Sequence, residues 1–180
     1  MELLKVITHA QGGFGYIKSG AHYGSNENCV MCRGYGINPY NASIAEIQFK
    51  QTALFWNNQN KNPFLHCMIS FSTESAHTAD EAMRFTDEII APLTEEHFAL
   101  SGAHDDKRTG GSYHTHSFIS TTNFNDGSML YADNSTTYAL AQRAADVIGK
   151  PVKLFVKNET KEWECPKVFV PREEEEDYNA

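Results

Sequence analysis

Three histidines close together in the chain carry the first chemical signal. In the segment HDDKRTGGSYHTH, His114 and His116 stand two residues apart. Side chains alternate faces along a β-strand, so a spacing of two puts both imidazoles on one face. The stretches His97–His104 and Tyr113–Thr121 read as strands, and the polar, glycine-containing DDKRTGG between them suits an antiparallel pair. Such a pair brings His104 across the hairpin to the same point. Three neutral imidazoles on a sheet face are a donor set for Mn²⁺, Zn²⁺, Co²⁺ or Ni²⁺, and three protein ligands leave coordination positions open for water or substrate. Open positions point to catalysis rather than to a structural staple. Asp105 or Asp106 could accept the second ring N–H of a ligand or join the shell.

Other candidates are weaker. In FLHCMISFS, residues 64–72, Leu65, Cys67, Ile69 and Phe71 alternate with His66, Met68, Ser70 and Ser72, the pattern of a strand with one wet face. His66 on that polar face is either a group that orients a ligand or an ordinary half-buried histidine, and Ser70 and Ser72 share its side. Cys29 and Cys32 form a lone CxxC with His22 nearby, but no second pair completes a zinc knuckle. A Cys–His hydrolase through Cys67 is disfavoured, because alternation sends Cys67 to the core, away from His66.

The elements that must position these residues alternate between strand and helix. Leu3–Thr8 predicts a strand, and the Gly/Asn/Tyr-rich segment Gln11–Tyr40 predicts a long functional loop. Ser43 and Glu46 have capping-box spacing ahead of a helix over 42–57. Thr78 and Glu81 repeat that spacing before a helix over 79–91 ended by Pro92. A helix over 136–148, capped by Asn134 or Ser135, is closed by Gly149 and Pro151. Val152–Val156 and Val168–Val170 predict further strands. Without a repeated βαβ rhythm, the pattern predicts an α+β fold: a mainly antiparallel central sheet with helices packed on one face, in two layers.

Eleven Phe, eight Tyr and 41% hydrophobic residues supply a core for one domain, which excludes a chain disordered over its whole length. We expect one folded unit over residues 1–172 and an acidic, flexible tail over 173–180, where Glu173 to Asp177 form a charge run. No run of about 18 apolar residues is present for a bilayer span, and Met1–Ala10 is too short and mixed for a signal peptide. The expectation is a cytoplasmic protein without membrane insertion, its four cysteines held as thiols. The formal net charge of −8 argues against broad attraction to nucleic acid, but residues 143–172 are comparatively basic and leave room for a local phosphate-facing surface.

On these residues the chain resembles the relaxase (mobilisation nuclease) domain of conjugative and mobilisable plasmids, the MobA/VirD2-like group of the HUH endonucleases. The resemblance covers about residues 8–157 and is strongest in SGAHDDKRTGGSYHTHSFISTTNFNDGSMLY, where His104, Asp106, His114, His116, Asn123 and Gly127 match the family's pattern. FLHCMISFSTES and the early GFGYIKS, followed by GYGINPYNASIAEIQF, are similar to two further family segments. The resemblance implies that His104, His114 and His116 hold one divalent ion, Mn²⁺ or Mg²⁺ foremost, with Zn²⁺, Co²⁺ or Ni²⁺ as alternatives. It implies that Tyr16 attacks the scissile phosphate of one DNA strand at a transfer origin, leaving a 5′-phosphotyrosine. Ser70 would hold DNA near the nick, Asp106 would belong to the catalytic set, and His66 or Glu74 would orient a ligand histidine. Tyr23, Tyr35 and Tyr40 lie in the same region and remain alternatives to Tyr16. Accessory DNA-binding and coupling proteins are the implied partners.

The chain departs from the family in a longer loop between His104 and His114, in Ser120 where Asn is frequent, and in lacking a helicase or primase extension, as expected of a standalone form or an excised domain. Two other readings stay open. A rolling-circle replication initiator of the same chemistry would use Tyr138, after the His-x-His; an accessory protein with a degenerate site would bind single-stranded DNA without cutting it.

Overall fold

The computed structural model describes residues 1–8, 13–24, 29–106, 112–158 and 167–172. In chain order these form β1 (Glu2–Thr8), α1 (Gly13–Gly24), β2 (Cys29–Tyr35), α2 (Ala42–Phe55), β3 (Phe64–Ser70), α3 (Ala79–Thr94), β4 (Ala99–Asp106), β5 (Ser112–Ser120), α4 (Asn134–Ile148), β6 (Val152–Asn158) and β7 (Lys167–Phe169). The strands build one sheet in the order β2-β4-β5-β3-β1-β6-β7. Every neighbouring pair is antiparallel except β1 with β6. The fold is α+β with a mainly antiparallel sheet, as the sequence pattern predicts. Residues 107–111 of the β4–β5 connection and the acidic run from Glu173 lie outside the described residues.

Residues paired across a ladder share a face, so register sorts the side chains. One row runs Leu3, Ser70, His114, His104 and Cys29; the next runs Lys5, Met68, His116 and Gly102; a third runs Ile7, His66, Phe118 and Leu100. The opposite face carries Leu4, Val6, Leu65, Cys67, Ile69, Ala99 and Ile119, buried under Ala82, Ile89 and Ile90 of α3 and Leu140, Ala141, Ala144 and Ala145 of α4. On the histidine side, Ile17 and Ala21 of α1 with Ala45 and Phe49 of α2 pack on Phe64, Leu100 and Phe118. Helices therefore cover both faces, not one. The polar face of β3 is therefore covered only in part: Met68 and Ser70 are half-buried, while His66 is 8% exposed because α1 and the Phe118 ring cover it.

The Gln11–Tyr40 segment holds α1 and β2 where a loop was expected. Glycine lowers helix propensity by about 1 kcal/mol per residue, and Gly13, Gly15, Gly20 and Gly24 all fall in α1. Tertiary packing overrides that preference. The close seat requires one of those glycines, since a Cβ on Gly20 would stand 2.8 Å from the Phe64 ring and 2.9 Å from that of Phe118.

Two N-caps and one helix end differ from the sequence expectation, while the Thr78–Glu81 box and the Gly149 C-cap hold. Asn41, not Ser43, caps α2 by accepting from the Ile44 amide at 3.1 Å. Asp133 caps α4 through the Thr136 amide at 2.8 Å. Helix α3 starts at the Thr78–Glu81 capping box as predicted, but runs through Pro92 to Thr94. Proline has no N–H for the carbonyl four residues back; that carbonyl, Glu88, instead accepts from Arg143 Nε of α4 at 2.7 Å.

Replacing Gly20 by alanine tests the seat of α1. Overpacking costs ~1–3 kcal/mol and alanine returns about 1 kcal/mol of helix propensity, so G20A is expected to lose up to about 2 kcal/mol net in urea unfolding. A raised midpoint would show that α1 does not pack this closely.

Candidate active site

The histidine cluster grows out of the β4–β5 register. His104 pairs directly with His114, and His116 follows two residues along β5 on the same face. The three ring centroids lie 5.2–5.3 Å apart, His104 and His114 nearly parallel at 14° and His116 edge-on to both. His104 is 4% and His116 6% exposed. Burial lowers both imidazoles' affinity for a proton: His104 is shifted down by desolvation and then by His114. His116 is pushed down to about 2 by desolvation, followed by its neighbours His66, His114, His104 and Lys5. Both therefore stay neutral, the form that ligates a metal.

Further polar contacts run from the cluster into the sheet. His116 Nδ1 lies 2.9 Å from His66 Nε2, and His66 Nδ1 lies 3.2 Å from the Tyr16 hydroxyl. Phe118 fixes the His66 ring by stacking at 4.2 Å and 22°, while Phe64 and Phe118 meet the Tyr16 ring edge-on at 5.7 and 6.5 Å. The sequence-predicted Tyr16, His66, His104, His114 and His116 are thus brought together, and Ser70 lies on the same face in the His114 row. Asp106 pairs with Ser112 at the end of β4, and its side chain lies outside the described residues.

Several candidates are placed elsewhere. Asp105 alternates to the face opposite His104 and cannot orient it there. Glu74 is exposed and pairs with Lys150 at 3.5 Å, so the polar group beside a cluster histidine is His66. Tyr35 bonds Asp87 of α3, and burial raises its phenol to about 12. Tyr40 is 87% exposed. Tyr138, on α4 over the other face, packs against Phe169 and under the Lys167 ammonium. Cys67 is buried in the core, its thiol raised to about 12 by desolvation. Asn123 and Gly127 shape the turn beyond β5: Asn123 donates to Glu96 at 3.0 Å and its carbonyl accepts from the Gly127 amide.

Sequence reasoning left Tyr23 as one alternative among several, yet its ring stacks on His104 at 5.5 Å and meets His116 edge-on at 4.9 Å. The available signal was its seven-residue offset from Tyr16, two helical turns, which becomes useful only once α1 is known to be a helix. Cys29 and Cys32 lie in the edge strand beside His104, their sulfurs 2.7 Å apart. Strict alternation would separate residues three apart onto opposite faces; a register shift between Cys29 and Met31 brings them together.

As placed, no three His, Cys, Asp or Glu side chains among the described residues form a metal-holding group. The donor set nevertheless fits a divalent ion in kind. Three imidazoles adjoin one another, those of His104 and His116 held neutral by burial, and His104 Nε2 is buried with no hydrogen-bond partner, a state that usually costs about 1–3 kcal/mol.

The family model for relaxases, the MobA/VirD2-like nuclease domain, matches residues 16–152, more than half of the chain. The chain belongs to the relaxase family. The matched span begins at Tyr16 and includes all four histidines of the cluster and its extension. No curated protein matches the relaxase chain in sequence. Among its described residues no helix is long and apolar enough to cross a membrane.

The buried histidines make stability depend on pH. On unfolding, His104 and His116 return to ordinary values near 6.5 and bind protons that the folded state refuses. The unfolded state then binds more protons, so stability falls as pH drops through 6.5 toward the depressed folded values. Metal-free relaxase should lose about 2–3 kcal/mol between pH 7.5 and 5.5 in urea titrations, and a His116→Leu variant should show a shallower dependence. Equal stability at the two pH values would contradict the neutral, buried cluster.

Proposed function

We propose that this relaxase domain is a metal-dependent, strand-specific endonuclease and strand transferase, acting on single-stranded DNA at a transfer origin with Tyr16 as nucleophile. The observation that carries this reading is the continuous contact from the three-histidine cluster through His116 and His66 to the Tyr16 hydroxyl. The Tyr16 oxygen bonds the phosphorus, the bond from phosphorus to the 3′ oxygen breaks, the phenol proton is lost, and the leaving oxygen gains a proton as a 3′-hydroxyl. The 5′-phosphotyrosine keeps the energy of the broken phosphodiester, so the strand is rejoined without a nucleotide cofactor.

His104, His114 and His116 would hold the ion, Mn²⁺ or Mg²⁺ foremost. A divalent cation bound there would offset charge on the nonbridging phosphate oxygens and supply the main electrostatic stabilisation of the transition state. Phe64, Phe118 and His66 fix the Tyr16 ring so that its oxygen is presented in one place. Ser70, on the same face, is suited to bonding a phosphate oxygen of the strand, and Asp106 belongs to the proposed catalytic set on the strength of its match to the family's His-x-Asp. The position of Tyr138 over the opposite face favours a relaxase over a replication initiator. Accessory and coupling proteins are proposed partners.

Calorimetry with Mn²⁺ should give close to one equivalent bound, lost in the His114→Ala/His116→Ala variant; no binding by the folded native protein would defeat the metal-dependent reading. Because the target sequence is not needed in advance, a random pool of single-stranded oligonucleotides with Mn²⁺ tests the chemistry. Native protein should carry covalent DNA after denaturation, Tyr138→Phe should match it, and Tyr16→Phe should fall below about one-thousandth of it. DNA binding without any adduct would instead favour a noncatalytic accessory role.

A further inference from the structure

We infer that His66 is a positioning residue whose tautomer is set by metal occupancy of His116, so that filling the histidine cluster turns His66 into a hydrogen-bond donor to the Tyr16 oxygen. This rests on the proposed metal site and on Tyr16 as nucleophile.

The argument is proton bookkeeping along three side chains. His116 contacts His66 through Nδ1, which leaves Nε2 as its nitrogen for a metal. A neutral imidazole has one N–H and one acceptor nitrogen. If His116 gives Nε2 to a cation, its proton sits on Nδ1 and is donated to His66 Nε2. His66, neutral and accepting at Nε2, then carries its own proton on Nδ1, the nitrogen 3.2 Å from the Tyr16 hydroxyl. That proton points at the phenol oxygen.

Without a cation the opposite polarity is equally well bonded: Tyr16 donates to His66 Nδ1, His66 Nε2–H donates to His116 Nδ1, and His116 holds its proton on Nε2. The same two contacts thus accommodate two proton arrangements, and only one is compatible with a ligated His116. The burial of His66 and His116, 8% and 6% exposed, limits exchange of these bonds for bonds to water. The consequence for the reaction acts in both directions. A donor on the phenol oxygen favours phenolate, the attacking form, and in resealing it stabilises the same oxygen as it leaves phosphorus. His66 does not ligate the ion in this scheme, nor does it touch DNA.

The tautomer of His66 can be read directly from long-range ¹H–¹⁵N correlation spectra of ¹⁵N-histidine-labelled protein, with diamagnetic Zn²⁺ as the probe and a His66→Gln spectrum to assign the signal. Zinc binding is checked by its loss in the His114→Ala/His116→Ala variant. The expected result is His66 as a single Nδ1–H tautomer at one equivalent of Zn²⁺, retained in Tyr16→Phe because His116 sets it. A Zn²⁺-loaded protein whose His66 carries its proton on Nε2 overturns the inference and leaves the proposed nuclease intact. Absence of any Zn²⁺ or Mn²⁺ binding overturns both. His66→Phe keeps the stack on Phe118 while removing both hydrogen bonds; it should bind Zn²⁺ and form the DNA adduct about 10–100-fold more slowly. Native adduct rates in that variant would also overturn the inference.

Discussion

The antiparallel registers of β4, β5 and β3 are the constraint on which the rest of this molecule depends. Opposing residues share a face, so fixing His104 against His114 also fixes His116 against Met68 and His66 against Phe118. A slip of one residue on β5 would send both of its histidines under α3 and α4 and bring Thr115 and Ser117 to the site. Polar pairs on the covered face help hold the register: the Ser101 and Ser117 hydroxyls meet at 2.7 Å, and those of Thr86 and Thr115 at 2.8 Å. Such bonds are satisfied only when the strands are in this alignment.

Helix α1 is the second dependency, and it is held by the sheet rather than by its own sequence. Ile17 and Ala21 bury against Phe64 and Phe118, with Gly20 permitting the approach. This one helix delivers Tyr16 to His66 and Tyr23 to His104. It also dries the histidine face, which keeps His104 and His116 uncharged and makes their hydrogen bonds stronger than they would be in water. Burying the cluster is unfavourable at acid pH and leaves His104 Nε2 without a partner. An interior of this kind is consistent with a site organised for a ligand rather than for stability alone.

Much of the fold was legible before any coordinates. The capped α3, the alternating β3, the β4–β5 hairpin and helix α4 closed by Gly149 follow from local patterns of period two or 3.6 and from cap chemistry. The misread segment, Gln11–Tyr40, contains many glycines and polar residues whose local preferences oppose the helix they adopt. Pro92 misled for a related reason: its ending signal is local, while the Arg143 guanidinium that takes up the stranded Glu88 carbonyl comes from another helix.

The sequence by itself determined that His104, His114 and His116 share a face, because strand alternation and a hairpin are properties of neighbouring residues. It also determined that Cys67 points away from them. Only the tertiary structure decided which tyrosines approach the cluster, singling out Tyr16 and Tyr23 from Tyr35, Tyr40 and Tyr138, and only it joined His66 to both His116 and Tyr16. Those meetings depend on how α1 seats on the sheet, and that seat is set by apolar burial between residues some fifty to a hundred positions apart, Ile17 with Phe64 and Phe118. Burial of that kind has no local period to read.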